Sequence, residues 1–495
     1  MTRRDVPIRM TASEFRSAGH ALVDLIAAHL DGVSSRPVTP GESPDVLQSL
    51  LGGDAPLPEK GEDADTLLRS AADLLFDHSL LNGHPRFFGY ITSSPAPIGM
   101  LGDLLAAAVN ANVGSWRLGP MATEIEAQTV RWIAELVGYP ASCGGLLVSG
   151  GNMANMLGFW AARVAAADWD LRADGVAGKK SRRLRVYASA ETHTWIQKAT
   201  DLAGLGTGAV RWIETDADQR MSVAALETAI DRDVKAGELP MMVVGTAGSV
   251  STGAVDPLAD IARVCRDRRI WFHIDGAYGA FAAAVPGAAP QLEALAHADS
   301  VAVDPHKWLY APLEAGAVLV RDPKRLRDAF SYHPPYYHFD REALNFVDFG
   351  PQNSRGFRAL KVWLALRQVG RSGYVKMIGD DMSLSRRLFE CVAEHPELEA
   401  MTHGLSITTF RYVPKEFRST LDSAETERQL NELNEVLLER IQSSGELFLS
   451  NAVIRGRYVL RACIVNFNTT QTDIDAIPGI VVRMGREVRE QSGVI

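Results

Sequence analysis

The chain has 495 residues, enough for about three domains of roughly 150 residues each, so a single small binding module is not expected. Hydrophobic residues make up 46% of the chain and charged residues 22%, a balance that excludes global disorder and a fibrous repeat. The net charge is −9 and no long basic run offsets it, which argues against nucleic acid as a partner.

Three further features lead us to expect a cytoplasmic protein without membrane contact. The apolar stretches fall short of the roughly 20 residues that span a bilayer. The N-terminus, MTRRDVPIRM, is not followed directly by the apolar segment of a signal peptide. The four cysteines are scattered without C-x-x-C spacing, so neither a disulfide framework nor a zinc site is indicated.

Residues 1–90 are predicted to form an N-terminal helical arm. Residues 11–31 carry apolar side chains at helical spacing behind a Thr or Ser cap, and a second helix is predicted over 64–78. Between them, residues 36–61 are rich in Pro and Gly and predict an extended connection. Such an arm has too little core to fold alone, so we expect it to pack on the body of the protein or on a second subunit.

Residues 91–370 are predicted to form a large α/β domain. Apolar runs without polar alternation, separated by helical patterns, are typical of strands buried on both faces of a mostly parallel sheet. The runs are GLLVSG, LRVYASA, AVRWIET, MMVVGT, IWFHID, SVAVDP and GAVLVRD. The pattern Gly204-x-Gly206-x-Gly208 precedes a run, whereas a dinucleotide-binding loop follows a strand, so a plain helix-to-strand turn is predicted there.

Residues 371–495 are predicted to form a smaller α+β domain. A helical pattern ends near Val369 and is followed by Gly370 and Gly373, which place the boundary there. The later segments LSITTFRYV, RGRYVLRACIVNFN and IVVRMGREVRE combine strand and helix patterns.

The chemistry is expected where the strands end, because ligands of open α/β sheets bind beyond the carboxyl ends of the strands. After the first run, Gly150, Gly151 and Asn152 lead into a helix whose N–H groups favour a phosphate, although a tight turn that needs glycine explains them equally well. His193 follows the second run and could stack on a planar ligand, although a lone histidine is more often a plain polar residue. Thr246 ends the fourth run without a specific signal of its own.

Two charged residues at strand ends narrow the chemistry. Asp275 directly follows the apolar run IWFHI. Burying a carboxylate there costs free energy unless it pairs with a cation, which suggests a positive group nearby. A carboxylate that caps the turn or helix after the strand explains the residue equally well. Lys307 follows the run SVAV, and a lysine in an apolar site can lose its proton and form a Schiff base, although a surface lysine is the alternative. Together, a phosphate cradle, an acid for a pyridinium nitrogen, a stacking histidine and a Schiff-base lysine are the parts that hold pyridoxal phosphate.

Several motifs then resemble those of the pyridoxal-phosphate-dependent group II decarboxylases, which include aromatic L-amino acid and glutamate decarboxylases. They are HPRFFGY at 84–90, SWRLGPMATEIE at 115–126, SGGNMAN at 149–155, HIDGAYG at 273–279, DPHKWL at 304–309 and SRGFRALKVW at 354–363. The resemblance implies an α/β protein of fold type I, the aspartate-aminotransferase-like fold of pyridoxal phosphate enzymes, with pyridoxal 5'-phosphate as the cofactor.

The resemblance also implies a role for each residue at the strand ends. Lys307 would hold the cofactor covalently, with His306 beside it, and Asp275 would keep the pyridine nitrogen protonated. His193 and Ala277 would lie on opposite faces of the ring. The remaining implied contacts are a phosphate site at Gly150, Gly151 and Asn152, and Thr246 near the cofactor or the substrate carboxylate. The family usually has Ser at the position of Asn152, so that side-chain contact is not carried over.

Residues 330–346, FSYHPPYYHFDREALNF, predict a long loop, and long loops commonly act as lids. In the family, this loop closes over the active site of the other subunit of a homodimer and carries a catalytic Tyr that protonates the carbon left by CO2. The P-P-Y spacing matches that residue to Tyr336, with Tyr337 as the fallback. A metal pair of His333 and His338 is set aside because no third ligand lies at a suitable spacing, so no metal is predicted.

The predicted reaction is decarboxylation of an L-amino acid to the amine and CO2, with an aromatic substrate favoured. The resemblance places Tyr90, Ile91, Trp116 and Ser354 at the substrate pocket, whereas Arg117 could receive an acidic side chain and keeps a glutamate-like substrate open. An aldehyde synthase or an aminotransferase on the same fold stays open as well, and so does a noncatalytic binding protein. Retention of the lid tyrosine, the stacking histidine and the Schiff-base lysine favours decarboxylation.

Overall fold

The computed structural model describes residues 6–333, 343–421 and 423–492. The helices are α1 (Ala12–Gly32), α2 (Pro44–Leu51), α3 (Ala64–Asp77), α4 (Pro97–Val109), α5 (Pro120–Leu136), α6 (Gly151–Ala166), α7 (Leu171–Asp174), α8 (Trp195–Leu202), α9 (Val223–Lys235), α10 (Leu258–Arg268), α11 (Pro305–Trp308), α12 (Lys324–Phe330), α13 (Ala359–Glu394), α14 (Ala424–Ser444) and α15 (Gln471–Ser492). The strands are β1 (Gly144–Val148), β2 (Leu184–Ser189), β3 (Val210–Ile213), β4 (Leu239–Thr246), β5 (Trp271–Asp275), β6 (Ser300–Val303), β7 (Gly316–Val320), β8 (Leu398–Gly404), β9 (Ile407–Tyr412), β10 (Ser450–Ile454) and β11 (Arg457–Cys463). Within these described ranges, no helix is both long enough and apolar enough to cross a membrane.

The N-terminal arm contains a helix that the sequence analysis did not predict. α1 and α3 lie where they were predicted, and α1 begins with a capping box at Thr11. The extended connection predicted over 36–61 is wrong in part, because α2 lies within it. Pro44 occupies the first turn of α2, where its missing N–H has no helical partner to lose. Ser43 caps the start and Gly52 ends the helix in the left-handed conformation at φ 64°.

The seven predicted apolar runs form one seven-stranded sheet in the order β1-β7-β6-β5-β4-β2-β3. β6, β5, β4, β2 and β3 are parallel, and β7 is antiparallel to both of its neighbours. β1, β2, β6 and β7 are buried along their whole length, which explains why their sequences do not alternate. The predicted mostly parallel sheet is confirmed, and the carboxyl ends of β1, β2, β4, β5 and β6 lie at the same edge.

A second sheet, antiparallel and four-stranded, lies in the C-terminal part in the order β10-β11-β9-β8. α14, α15 and the second half of α13 pack with it around a separate core that includes Leu388, Phe410, Leu437 and Ile477. α13 is interrupted at Gly370, whose φ is 67°, the position at which the sequence predicts a helix stop. The predicted smaller α+β unit is confirmed, and its boundary with the large domain stays a prediction.

Candidate active site

A cleft opens at the carboxyl ends of the large sheet, between the turn that joins β1 to α6 and the ends of β4, β5 and β6. It brings together many of the predicted site residues: Ile91, Gly151, Asn152, His193, Thr246, Asp275, Ala277 and Lys307. These residues are far apart in the sequence. They meet because parallel strands present their carboxyl ends at one edge of a sheet.

Lys307 lies on α11, directly beyond the end of β6. Its Nζ is 3.0 Å from Asp304 Oδ2, and the side chains are 21% exposed for the lysine and 2% for the aspartate. The second oxygen of Asp304 is buried without a hydrogen-bond partner among the described residues. Because a buried carboxylate is costly without a cation, the pair holds the lysine amine at the base of the cleft.

Asp275 is the last residue of β5 and is held by two uncharged donors. Trp195 Nε1–H donates to Oδ2 at 2.8 Å, and the Ala277 N–H donates to Oδ1 at 3.2 Å. Asp275 is 8% exposed, and among the described residues no cationic side chain lies within ion-pair distance of it. A buried carboxylate of this kind lacks its counter-charge. A protonated pyridine nitrogen in the cleft would supply that charge.

An uncharged layer behind Asp275 fixes the position of Trp195. The Trp195 and His273 rings form a T-shaped pair with 5.6 Å between their centroids, and burial lowers the pKa of His273 to about 4. The His273 nitrogens lie 2.7 Å from Asn155 Oδ1 and 2.7 Å from Ser300 Oγ. Asn155 Oδ1 can only accept, so His273 Nε2–H donates to it. The other nitrogen of the uncharged ring therefore accepts from the Ser300 hydroxyl, whose oxygen accepts from Trp271 Nε1–H.

The turn between β1 and α6 forms a backbone cradle. Gly150 has a φ of 124°, a conformation that favours glycine. A Cβ added to Gly151 would lie 2.6 Å from Asp304 Oδ2, and one added to Gly150 would lie 3.2 Å from His306 Cε1. The first N–H groups of α6 have no helical acceptor, so they are free to bind an anion. The turn therefore has both the room and the unpaired N–H donors that a phosphate would need, at a place that side chains would fill.

His193 reaches the cleft from the turn between β2 and α8. Its Nδ1 accepts a hydrogen bond from the Trp195 N–H at 3.3 Å. Partial burial lowers the pKa of His193, and the Lys307 charge acts in the same direction while the Asp275 charge opposes it. The lower pKa favours the uncharged form of the ring.

Thr246 and His306 complete the surroundings of the lysine. The Thr246 N–H donates to Asp256 Oδ2 at 2.8 Å, while its hydroxyl is buried without a partner among the described residues. That hydroxyl lines the cleft and is available to a ligand. His306 Nδ1 lies 2.8 Å from the Ala315 carbonyl oxygen, and burial lowers the pKa of its ring.

These observations fit pyridoxal phosphate. The glycine cradle matches a phosphate, the buried Asp275 lacks a cation, and the Thr246 hydroxyl lacks a partner among the described residues. The Lys307 amine lies in the same cleft. The cradle, Asp275 and Lys307 would hold the phosphate, the pyridine nitrogen and the aldehyde carbon of this cofactor.

Some residues predicted from the sequence lie away from the cleft or outside the described residues. The Tyr90 side chain is 58% exposed and packs on Phe448, and Trp116 Nε1–H donates to Glu124. Ser354 is exposed, and none of the three lines the cleft of this protomer. Tyr336 and Tyr337 lie outside the described residues, so the predicted roles of all five stay predictions.

The sequence analysis gave no role to Asp304 or Trp195. Asp304 stands three residues before Lys307, a spacing at which an acid and a lysine meet on a helical turn, and that signal could have identified it. Trp195 carries no comparable signal, because its contact with Asp275 spans 80 positions and depends on how α8 packs against β5.

Comparison with known proteins agrees with this geometry. The model of the pyridoxal-dependent decarboxylase conserved domain matches residues 44–413. The chain is 32% identical over 487 residues to the aromatic-L-amino-acid decarboxylase of Bacillus atrophaeus, with 97% of each chain covered. It is 31% identical over 463 residues to the phenylacetaldehyde synthase of Petunia hybrida, covering 91% of this chain and 90% of the relative.

A solved structure extends the similarity to the fold. The structure of Oryza sativa TDC with pyridoxal phosphate and tryptamine has a TM-score of 0.89 and 28% identity, covering 98% of this chain and 99% of the other. Sequence, fold and cleft thus agree, and the chain belongs to the pyridoxal-dependent decarboxylases, carboxy-lyases that use pyridoxal 5'-phosphate.

Proposed function

We propose that the protein converts an aromatic L-amino acid to the corresponding amine and CO2. The Bacillus atrophaeus relative carries the name of an aromatic-L-amino-acid decarboxylase, and the similar Oryza sativa structure holds tryptamine, the amine of an aromatic amino acid. Within this chain, the charge of the cleft is the observation that carries the proposal.

The cleft favours an uncharged substrate side chain over an acidic one. Among the described residues, Lys307 is the one Lys or Arg that lines it, and Lys307 already pairs with Asp304. Glu191 lines the cleft and would repel the side-chain carboxylate of an acidic substrate, whereas Ile91 offers an apolar surface. Arg117, which could have bound the side-chain carboxylate of a glutamate-like substrate, does not line the cleft of this protomer.

Five parts of the site have a role in this proposal: Lys307, Asp275, His193, Ala277 and the backbone at 150–152. Lys307 Nζ binds the cofactor covalently, Asp275 keeps the pyridine nitrogen protonated, and the backbone at 150–152 binds the phosphate. When bound, pyridoxal phosphate supplies the electron sink that a departing carboxylate requires. The His193 ring would lie against one face of the cofactor, and the small Ala277 side chain would leave room at the other.

Tyr336 is the proposed proton donor to the carbon that loses CO2, on the strength of the P-P-Y spacing in the lid segment. The lid reaches a neighbouring subunit in this proposal, so the enzyme is a homodimer. The arm supports such an assembly, because Phe15, Leu51 and Leu75 are 61%, 73% and 63% exposed. Light scattering that finds an active monomer would contradict it. A cytoplasmic location and the domain limits 1–90, 91–370 and 371–495 remain predictions.

Aldehyde production is the second candidate, because a phenylacetaldehyde synthase is nearly as similar in sequence as the decarboxylase. In that reaction, O2 and water replace the final protonation, and aldehyde, ammonia and peroxide replace the amine. The presence of Tyr336 and His193 favours the amine, because a positioned proton donor and a closed site act before O2 reaches the cofactor.

A product panel separates these candidates. The cofactor-loaded protein is incubated with L-tyrosine, L-tryptophan, L-phenylalanine, L-glutamate and L-aspartate, and CO2, amine, aldehyde and ammonia are measured together. We expect equal amounts of amine and CO2 from at least one aromatic substrate, and none from Lys307→Ala. Turnover of the acidic amino acids alone would overturn the substrate class. Aldehyde and ammonia in place of amine would overturn the proposed reaction.

A further inference from the structure

A buried acid, Asp381, lies against the turn that carries Lys307 and takes no part in the site described above. We propose that Asp381 is a positioning residue that fixes α11, and with it Lys307, by accepting hydrogen bonds from Trp308 and Tyr310. The inference rests on the proposed role of Lys307 as the lysine that holds the cofactor.

One oxygen of Asp381 receives both hydrogen bonds. Trp308 Nε1–H donates to Asp381 Oδ2 at 2.9 Å, and the Tyr310 hydroxyl donates to the same oxygen at 2.7 Å. Trp308, Tyr310 and Asp381 are 0%, 1% and 3% exposed. Trp308 directly follows Lys307 and Tyr310 lies three residues beyond it, so one atom on α13 holds the chain at two points just after the lysine.

Packing alone does not explain an acid at this position. Among the described residues, no cationic side chain lies within ion-pair distance of Asp381, so its burial is costly. An apolar side chain of similar size would fill the space without that cost. The directional bonds to Trp308 and Tyr310 offset the cost and select one orientation of the turn, which apolar packing does not do.

Trp308 also links the lysine turn to the turn that follows Asp275. Its ring stacks on Tyr278 with 5.0 Å between ring centroids and 14° between planes. The Tyr278 hydroxyl lies 2.6 Å from Ser406 Oγ and accepts the Ser406 N–H at 2.9 Å, in the turn between β8 and β9. A shift of Trp308 would therefore change the position of Lys307 relative to Asp275, the two groups that hold opposite parts of the cofactor.

The charge state of Asp381 adds a spectroscopic signature. Burial raises the pKa of Asp381 to about 7, the bonds from Tyr310 and Trp308 lower it, and the neighbouring Asp380 charge raises it. The other ionisable groups whose charges interact with it are Tyr310 and the Cys463 thiol on β11. Hydrogen bonds to a carboxylate are stronger than those to a carboxylic acid. We therefore expect the geometry around Lys307 to respond to pH near neutrality.

The test compares Asp381→Leu, Asp381→Asn and the matched control Asp380→Asn. The control removes the same charge from the same helix, but Asp380 is exposed and pairs with Lys376 at 2.5 Å. Each cofactor-loaded variant is checked for folding by circular dichroism. The readouts are cofactor affinity, the visible absorption of the bound cofactor over the range of roughly pH 6 to 9, and kcat and KM.

We expect Asp381→Leu to lower cofactor affinity and kcat about ten-fold each, with little change in KM, because a charge-assisted hydrogen bond is lost from the lysine turn. Its absorption should no longer follow pH as the wild type does. Asp381→Asn, which keeps an acceptor oxygen, should recover part of the affinity and kcat but not the pH response. Asp380→Asn should keep the wild-type cofactor affinity and kcat, while its pH response moves to lower pH because loss of the Asp380 charge lowers the pKa of Asp381.

A folded Asp381→Leu variant with wild-type affinity, spectrum and kcat would overturn the inference. If Asp381→Leu does not fold, Tyr310→Phe serves instead, because it removes one of the two hydrogen bonds to Asp381 without changing the charge. An unchanged absorption spectrum and kcat in Tyr310→Phe would also overturn the inference. Borohydride reduction of the wild type separates this failure from a failure of the proposed function. If the reduced cofactor is attached to Lys307 and the Asp381 variants behave like the wild type, only the positioning role is rejected. If the reduced cofactor is attached to another lysine, the proposed site itself is rejected.

Discussion

Replacing Gly151 by alanine tests whether the β1–α6 turn packs directly against the lysine turn. An added Cβ would lie 2.6 Å from Asp304 Oδ2 and 3.0 Å from the Ala277 Cβ. Both neighbours are buried and short, and the Asp304 carboxylate also holds Lys307 Nζ at 3.0 Å. The new methyl group must therefore displace either the start of α6 or the Asp304–Lys307 pair.

The size of the effect follows from the contact distances. Forcing an extra methyl into a packed site costs about 1–3 kcal/mol, and the better helix propensity of alanine offsets at most about 1 kcal/mol of this. We expect the free energy of unfolding to fall by about 1–2 kcal/mol. Because the displaced atoms border the cofactor site, its dissociation constant should rise by roughly 5- to 30-fold.

Denaturant unfolding and a cofactor titration followed by visible absorption measure the two effects in Gly151→Ala. Gly208→Ala is the matched control, because a Cβ added at Gly208 meets nothing within 4 Å. The control should keep wild-type stability and affinity. If Gly151→Ala also keeps both, the turn does not pack against Asp304 as described, and the phosphate cradle is misplaced.

Three further predictions follow from single residues. Trp195→Phe removes one donor to Asp275 and should weaken cofactor binding about ten-fold in an absorption titration; unchanged affinity would refute the contact. The pKa of Asp381 is raised to about 7 from 3.8, so the folded state binds the extra proton and Asp381 contributes a loss of stability as pH rises from about 4 to 7. In denaturant melts, Asp381→Asn should therefore lose less stability than the wild type over this range. An equal loss in both proteins would assign the pH dependence to other groups, such as Asp256, whose pKa burial raises to about 6. Tyr336→Phe should still bind the cofactor and release CO2, while the products shift from amine toward aldehyde, ammonia and peroxide. A normal yield of amine would show that Tyr336 is not the proton donor, and Tyr337 would then be tested in the same way.

The parts of the site carried by strand ends were predictable from the sequence. Runs such as SVAV and IWFHI lack polar alternation because both faces of the sheet are covered, so their ends, Lys307 and Asp275, could be recognised. Parallel topology then requires those ends to meet at one edge. The resemblance to a known family added the roles that position alone does not assign.

The supporting contacts were not predictable, because they join residues that the sequence does not mark as neighbours. The Asp275–Trp195 bond spans 80 positions and the Asp381–Trp308 bond spans 73. Each depends on how a helix packs on the sheet, which local periodicity does not encode. The missed helix α2 has a local cause. The Pro and Gly content of residues 36–61 predicts an extended connection, although proline is favoured in the first turn of a helix, where Pro44 lies.

Chemical trapping of the cofactor tests whether Lys307 is the lysine that binds pyridoxal phosphate. Borohydride reduction of the cofactor-loaded protein makes the linkage permanent, and proteolysis with mass measurement then identifies the modified peptide. In the wild type, we expect one modified peptide, which contains Lys307 beside His306. In Lys307→Ala, we expect no modification of that peptide. A modified peptide containing another lysine, with Lys307 unmodified in the wild type, would contradict the assignment of the cleft as the catalytic site.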